Sequence, residues 1–338
     1  MENPFLVDVA RGTLIESRHR GSVAVVDSEG ATVLSLGDVE RRVFPRSAVK
    51  ALQAMPLVES GIADKYGLTD EEIALACASH SGEPEHVAAA KSMLKKAGQD
   101  AGCLECGVHW PMGEAANRAL AAKGQGPSAL HNNCSGKHAG FVCLACGQGN
   151  DPKGYVRADH PVQQAVRESL EELTGACHTL DKSGIDGCSI PTYAVRLPSL
   201  AFGFARFGTG AGLSGEGRAA AERIRKAVAK HPFMVAGTGR FDTKLMERLG
   251  ERAFVKVGAE GVYCASLPEL GYGIALKAED GNSRAAEAMM AGLILRFLPL
   301  SDEERSTVEA LAQPVLKNWN GIEVGRVQLD PLLLGQSA

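Results

Sequence analysis

The sequence predicts a mixed α/β protein, α+β in arrangement, with an antiparallel sheet built from both ends of the chain and a helical segment inserted between them. Three observations predict it. Short apolar runs separated by turn signals fill the first forty residues, helical spacing then takes over through the middle, and strand patterning returns after Ala253. Strands of this kind pair most simply through hairpins, so the sheet is antiparallel. The expected division is residues 1–45 plus 250–338 as a sheet domain with flanking helices and 46–249 as a mostly helical domain, with the active site between them.

Val23-Ala24-Val25-Val26 and Thr32-Val33-Leu34-Ser35-Leu36 are apolar runs divided by the turn Asp27-Ser28-Glu29-Gly30, which reads as a β-hairpin. From Ser47 the period changes: Ala51, Leu52, Met55, Leu57 and Val58 fit one helix, and Gly61 ends it. Thr69 and Glu72 form a capping box at the start of another. Stretches 84–97, 113–123, 160–175, 218–230 and 239–250 also carry helical spacing. Ala253–Val257, Val262–Ser266 and Tyr272–Lys277 are strands separated by glycine-bearing turns, and a long apolar helix follows over 283–297.

Composition narrows the function. With 338 residues the chain is long enough for one large domain or two closely joined ones. The formal net charge is only -4 and no block of Lys and Arg makes a phosphate-binding footprint, which argues against nucleic acid. Residues 1–20 mix apolar and charged side chains, and no later segment keeps an apolar membrane-spanning length, so a cytosolic protein without a membrane partner is expected. Nine cysteines, an odd count, suggest buried thiols rather than disulfides, with Cys77, Cys177 and Cys264 read as core. Cys103-Leu104-Glu105-Cys106 and Cys143-Leu144-Ala145-Cys146 have zinc-ribbon spacing, but the second lies in an apolar helical run where buried thiols are the plainer reading.

Chemistry is suggested first by Ser47-Ala48-Val49-Lys50 at a helix start. Residues three apart share a helical face, so hydroxyl and amine can meet. A lysine works as a base once burial or neighbouring positive charge lowers its pKa, and the serine is then an activated nucleophile. Alone, the pattern carries little, because it recurs by chance. Arg46 beside it has the planar fork that suits a substrate carboxylate, against the plainer role of a surface charge. His80, His86, His109 and His131 are available acid–base groups whose ordinary role is structural, and Gly237-Thr238-Gly239-Arg240 lacks the strand and the Lys-Ser/Thr of a phosphate loop.

The order Ser47-x-x-Lys50, then Ser79, then Lys256-Val257-Gly258 on a late strand resembles that of serine β-lactamases and penicillin-binding proteins. Here Val257 stands in the place of Thr, and a Ser-Asp-Asn triplet is absent. A closer resemblance, over nearly the whole chain, is to the rhizobial-type (class 3) L-asparaginases. It is carried by Arg46-Ser47-Ala48-Val49-Lys50, Cys77-Ala78-Ser79-His80-Ser81, Asn133-Cys134-Ser135-Gly136-Lys137-His138, Asp186-Gly187-Cys188 and Glu279-Asp280-Gly281-Asn282.

That resemblance implies a serine β-lactamase-like fold, hydrolysis of L-asparagine, a homodimer, and two serine–lysine pairs, Ser47 with Lys50 and Ser79 with Lys256. It also implies a zinc ion (Zn2+) held by Cys134, Lys137 and Cys188. His138 and Asp186 flank those ligands, in place to orient substrate or support the ligands, against the plainer roles of a solvated histidine and a turn carboxylate before Gly187. Lysine is a rare zinc ligand because it must first lose its proton. Two thiolates, one amine and a water would leave the ion open toward substrate, as an anchor rather than a water activator. The rival expectations are a glutaminase, a penicillin-recognising hydrolase, and a non-catalytic zinc-binding protein.

Overall fold

The computed structural model describes residues 2–335. Its first strands are β1 (Phe5–Arg11), β2 (Leu14–Asp27) and β3 (Thr32–Leu36). A 3-10 turn, Arg46–Val49, runs directly into α1 (Lys50–Glu59), followed by α2 (Ile62–Lys65), α3 (Asp70–Ala76), α4 (Pro84–Lys96), α5 (Glu114–Ala122), α6 (Ser135–Gly147) and α7 (Pro161–Thr174). A small ribbon, β4 (Ser183–Ile185) and β5 (Pro191–Tyr193), precedes α8 (Leu197–Thr209), α9 (Gly215–Lys230), α10 (Pro232–Ala236) and α11 (Phe241–Leu249). The chain then forms β6 (Phe254–Val257), β7 (Val262–Leu267), β8 (Tyr272–Ala278), α12 (Ser283–Phe297), α13 (Asp302–Ala312), β9 (Val315–Lys317), β10 (Glu323–Leu329) and α14 (Pro331–Leu334).

The main sheet has the order β6-β7-β8-β2-β1-β10-β9, with β3 beside the second half of β2. Its pairings are antiparallel, so the mixed class with a sheet drawn from both ends of the chain is the one read from the sequence. β2 joins the two halves: residues from Leu14 to Arg20 pair with β1, and Gly21 to Asp27 pair with β8. Helices cover both faces. A Cβ at Gly273 would lie 1.8 Å from the Ala201 carbonyl oxygen of α8, so only glycine lets that helix approach, while one at Gly21 would lie 2.8 Å from Met289 of α12. Gly21 pairs with Ala278 and Val26 with Gly273, five positions apart along each strand, which puts the two contacts on opposite faces.

Among the elements not foreseen are α8, β9 and β10. Eight residues of α8, including Leu197, Leu200, Phe204 and Phe207, are buried, so its apolar surface is too broad to give a clean helical period. β9 is the edge strand and β10 its neighbour, and together they carry Lys317, Glu323, Arg326 and Gln328, polar content of the kind that protects edges and hides a strand pattern. The long α1 is fixed by burial of Leu52, Met55 and Leu57, each contributing ~1.5–3 kcal/mol of apolar burial. Its leading 3-10 turn packs against β6 and β7, bringing the start of the helical segment to the terminal strand of the sheet.

Candidate active site

The 3-10 turn begins at Arg46, a non-glycine residue with φ of +52° immediately before Ser47. Left-handed backbone at such a residue is strained and is held there by its surroundings. Side chains three apart in a 3-10 turn eclipse one another, which aligns the half-buried Ser47 with Lys50. The Lys50 amine, fully buried, passes beyond its neighbour: it donates to the Ala78 carbonyl oxygen at 2.5 Å, Ser79 Oγ at 2.9 Å and Cys134 Sγ at 3.1 Å. Those three acceptors account for the donors of an ammonium, and none of them is Ser47.

Ser79 lies in the loop after α3, where its backbone N–H donates to Val235 O at 2.9 Å and that of His80 donates to Asn133 O at 3.1 Å. Across from it, Lys256 on β6 donates to Ser79 Oγ at 3.0 Å and to the Val257 carbonyl oxygen at 2.9 Å. One buried hydroxyl therefore sits between two buried amines. The expected pairing of Lys50 with Ser47 is not the arrangement in this structure, where both lysines converge on Ser79. Burial pushes the Lys256 amine down to about 7, helped by the nearby Lys50 charge and opposed by Asp242. When Lys256 is neutral, Ser79 can give it a proton while still accepting from Lys50.

The second cluster adjoins the first through Cys134. Cys134 is the N-cap of α6, with its N–H donating to Asn132 Oδ1 at 2.8 Å, and Lys137 follows one turn later. Cys188 comes from the tight turn after β4, in which Ser189 has φ of +77°, and its sulfur accepts from Lys137 Nζ at 3.0 Å. The Cys134 thiol is held well below its ordinary pKa, first by the neighbouring Cys188 and then by Lys50 and Lys137, against the effect of burial. Cys188 is correspondingly pushed up by the neighbouring Cys134 sulfur and by burial, while its S–H donates to Asp186 Oδ2 at 3.8 Å.

Burial alone would lower Lys137, but Cys188, Cys134 and Asp186 outweigh it and raise the amine above its ordinary value. Arg46 Nε donates to Asp186 Oδ1 at 2.5 Å, tying the strained turn to this cluster. Burial would likewise raise Asp186, yet Lys137 and Arg46 hold it below the usual carboxylate range. Beside Lys137, His138 is kept neutral by burial and by the Lys137 charge. Its Nδ1 lies 2.7 Å from Tyr155 OH, which itself accepts from the Glu105 N–H, so the tyrosine proton points to Nδ1 and the ring proton sits on Nε2. That buried Nε2 has no partner among the described residues.

The ten residues singled out from the sequence fall in or beside these two clusters: Lys50, Ser79 and Lys256 around the hydroxyl, Arg46, Cys134, Lys137, His138, Asp186 and Cys188 around the sulfurs, and Ser47 on the turn between Arg46 and Lys50. A cavity of about 320 Å³ reaches Arg46 past Phe44, Arg41, Glu260 and Lys277. A larger one, about 780 Å³, lies between α4 and α10 and is lined by none of these ten.

Other candidates have ordinary roles. His80, His86, His109 and His131 all bond to backbone or to a neighbouring serine or asparagine. The cysteines of the two Cys-x-x-Cys pairs are free; Cys103, Cys106 and Cys143 donate to carbonyl oxygens, and among the described residues no three His, Cys, Asp or Glu side chains form a metal site. Cys177, expected in the core, is exposed because it lies just past the αL cap of α7. Sequence reasoning missed Tyr155, which stands behind His138, and Asp242, which stands behind β6; each is a single ordinary residue without a local motif.

No curated protein sequence gives a significant match to the chain. A family model does match, that of L-asparaginase II, over residues 7–329. The matched span includes both clusters and every strand of the sheet, apart from the first two residues of β1. A hydroxyl set between buried amines suits acyl transfer from an amide, and with that match the chain belongs to the L-asparaginase II family and is a hydrolase of linear amides.

Proposed function

We propose that the chain hydrolyses L-asparagine to L-aspartate and ammonia through an ester on a lysine-activated serine, with Ser47 as the attacking residue. The observation that carries the serine–lysine chemistry, whichever serine attacks, is the Ser79 hydroxyl held between Lys50 and Lys256 at 2.9 and 3.0 Å, with Lys256 brought to about 7 by burial. Ser47 is the better placed for substrate: it is half-buried at the turn, next to Arg46, whereas Ser79 is enclosed.

Ser47 Oγ adds to the side-chain amide carbon and its proton passes to Lys50 as Lys50 gives one of its own to Ser79 and Ser79 gives its hydroxyl proton to neutral Lys256. The tetrahedral oxyanion is met by backbone N–H groups at the start of the turn, a contribution of about 3–4 kcal/mol for one well-aimed donor. Return of the proton to the nitrogen breaks the C–N bond and releases ammonia. Water then enters by the same path, the ester is cleaved, and Ser47 regains its proton as aspartate leaves.

Arg46, Asp186 and His138 form the binding side. The Arg46 fork suits the α-carboxylate, the low-pKa Asp186 suits the α-ammonium, and the unpartnered His138 N–H is a donor left for a bound group. Cys134, Cys188 and Lys137 together offer two soft sulfurs and an amine nitrogen, a donor set that fits zinc once Lys137 has lost its proton. Zinc bound there would supply a Lewis-acid anchor for the amino-acid end of the substrate. The resemblance noted above also supports a homodimer, and no helix among the described residues is long and apolar enough to cross a membrane.

One observation favours a second reading. Both lysines donate to Ser79 and not to Ser47, which is the pattern of an activated nucleophile at Ser79. The test is ammonia release from asparagine and glutamine beside hydrolysis of a chromogenic β-lactam, for the wild type, Ser47→Ala, Lys50→Met and the double variant. Asparagine should be preferred, each single change should nearly abolish release, and the double should be little worse because the residues act as a unit. Near-normal turnover by Ser47→Ala would overturn the assignment of the nucleophile.

A further inference from the structure

Asp242, in the first turn of α11, is 1% exposed, and both of its carboxylate oxygens are engaged away from its own helix. Oδ1 accepts from the Val257 backbone N–H at 2.9 Å, and Oδ2 accepts from Tyr263 OH at 2.7 Å. β6 is the terminal strand of the sheet, so its outward N–H groups have no further strand to bond. Asp242 fills that place at the residue following Lys256, and through Tyr263 it is tied to β7 as well.

The same segment also holds the opposite side of the relay. Val235 O accepts from the Ser79 N–H at 2.9 Å, and Ala236 O accepts from Ser81 Oγ at 2.8 Å. Thr238 donates from its N–H and its hydroxyl to the two oxygens of Glu83, at 2.8 and 2.7 Å, and Thr243 Oγ1 donates to Gly237 O at 2.7 Å. Gly237 has φ of +112°, and a Cβ there would lie 2.6 Å from both Ser81 Oγ and Glu83 Oε1, so the contact excludes every larger residue. Residues 235–243 thus bridge the Ser79 loop and the Lys256 strand.

We propose that Asp242 is a positioning residue of the amidase, the end of a 235–243 brace that fixes the Lys256 amine against the Ser79 hydroxyl and places a buried negative charge where Lys256 takes up its proton. This inference rests on the reading of Lys256 as a proton carrier. A buried carboxylate near the amine stabilises the protonated form, so the charge eases proton uptake while the hydrogen bonds set the distance. The charged and titratable groups facing Asp242 are Lys256 on β6, Tyr263 on β7, Arg240 ahead of α11 and Glu287 on α12; burial and Asp242 together raise the Glu287 carboxyl to about 7.

The test uses the full-length enzyme, the pH profile of kcat, and three variants whose folding is checked by thermal melting. Asp242→Asn keeps the shape and an acceptor for Val257 but removes the charge; it should lower kcat about tenfold and move the acid limb about one pH unit lower, because Lys256 loses the anion that favours its proton. Tyr263→Phe keeps the charge and should lower kcat less, with the limb in place. Lys256→Met separates the two claims. If it keeps wild-type turnover, the proton-carrier reading fails; if it is inactive while Asp242→Asn retains both the wild-type rate and the wild-type limb, Asp242 is not a positioning residue. A purely structural Asp242 would lower the rate without moving the limb, or would let Tyr263→Phe move it equally, and either result overturns the proposal.

Discussion

Lys137 and Lys256 are both buried to within 2% of complete enclosure, on the two sides of one site, and their amines shift in opposite directions. Lys256 meets a neutral hydroxyl and a backbone carbonyl, with Lys50 close by, so the cost of desolvating its charge prevails and the amine falls to about 7. Lys137 meets sulfur and has Asp186 near it, so the anions prevail and the ammonium is favoured. Equal burial therefore sorts one lysine toward proton transfer and the other toward holding charge in place. Under the proposed mechanism the same sorting separates the residues that move protons from those that bind substrate.

The sharpest way to break this contrast is to remove each amine. Lys256→Met should lower ammonia release by about 10³-fold, within the range of a lost acid–base group, while a scanning melt shows Tm unchanged or raised, because a poorly paired buried amine is replaced by an apolar chain of similar volume. Lys137→Met should do the reverse: the sulfurs and Asp186 lose their counter-charge, stability falls by about 3 kcal/mol in denaturant titrations, and KM rises more than kcat falls. Two variants with the same stability change would erase the distinction.

The next largest effect is on pH. Activity that needs neutral Lys256 should rise as pH increases through about 7. The stability contribution has the same sign. Between about 7 and the ordinary lysine value of about 10.4, the unfolded chain binds the proton that folded Lys256 lacks, so stability should increase with pH across that window. Lys256→Met should flatten both profiles; persistence of the limb in kcat/KM would assign it to another group. Below these in size, Cys188→Ser should raise KM about tenfold with kcat nearly unchanged in steady-state assays, as expected for a disturbed anchor. Unfolding of that variant would instead mark the cluster as structural.

Much of this arrangement was legible in the sequence because it is locally encoded. The hairpin of β2 and β3 follows from alternating apolar runs around Gly30, and α1 and α12 follow from their apolar spacing. The candidate residues also cluster in short segments, Arg46 to Lys50, Ser79, Cys134 to His138 and Asp186 to Cys188, each at the end of an element. What escaped depends on contacts far apart along the chain. Lys50 reaches Ser79 and Cys134 across the packed helices α1, α3 and α6, so the spacing to Ser47 suggested a simpler pair than the one formed. Asp242 meets Val257 through the meeting of α11 with β6, and the sequence shows only an acidic residue in a first helical turn. The near-complete burial of α8 and the polar content of β10 concealed those elements for opposite reasons.

The most direct measurement is to mix enzyme with L-asparagine, quench in acid within the first turnovers, digest, and locate the aspartyl ester by mass spectrometry. The adduct should lie on the peptide containing Ser47, be absent in Ser47→Ala and be diminished in Lys256→Met. An ester on Ser79, or steady ammonia release with no ester on either serine, would contradict it.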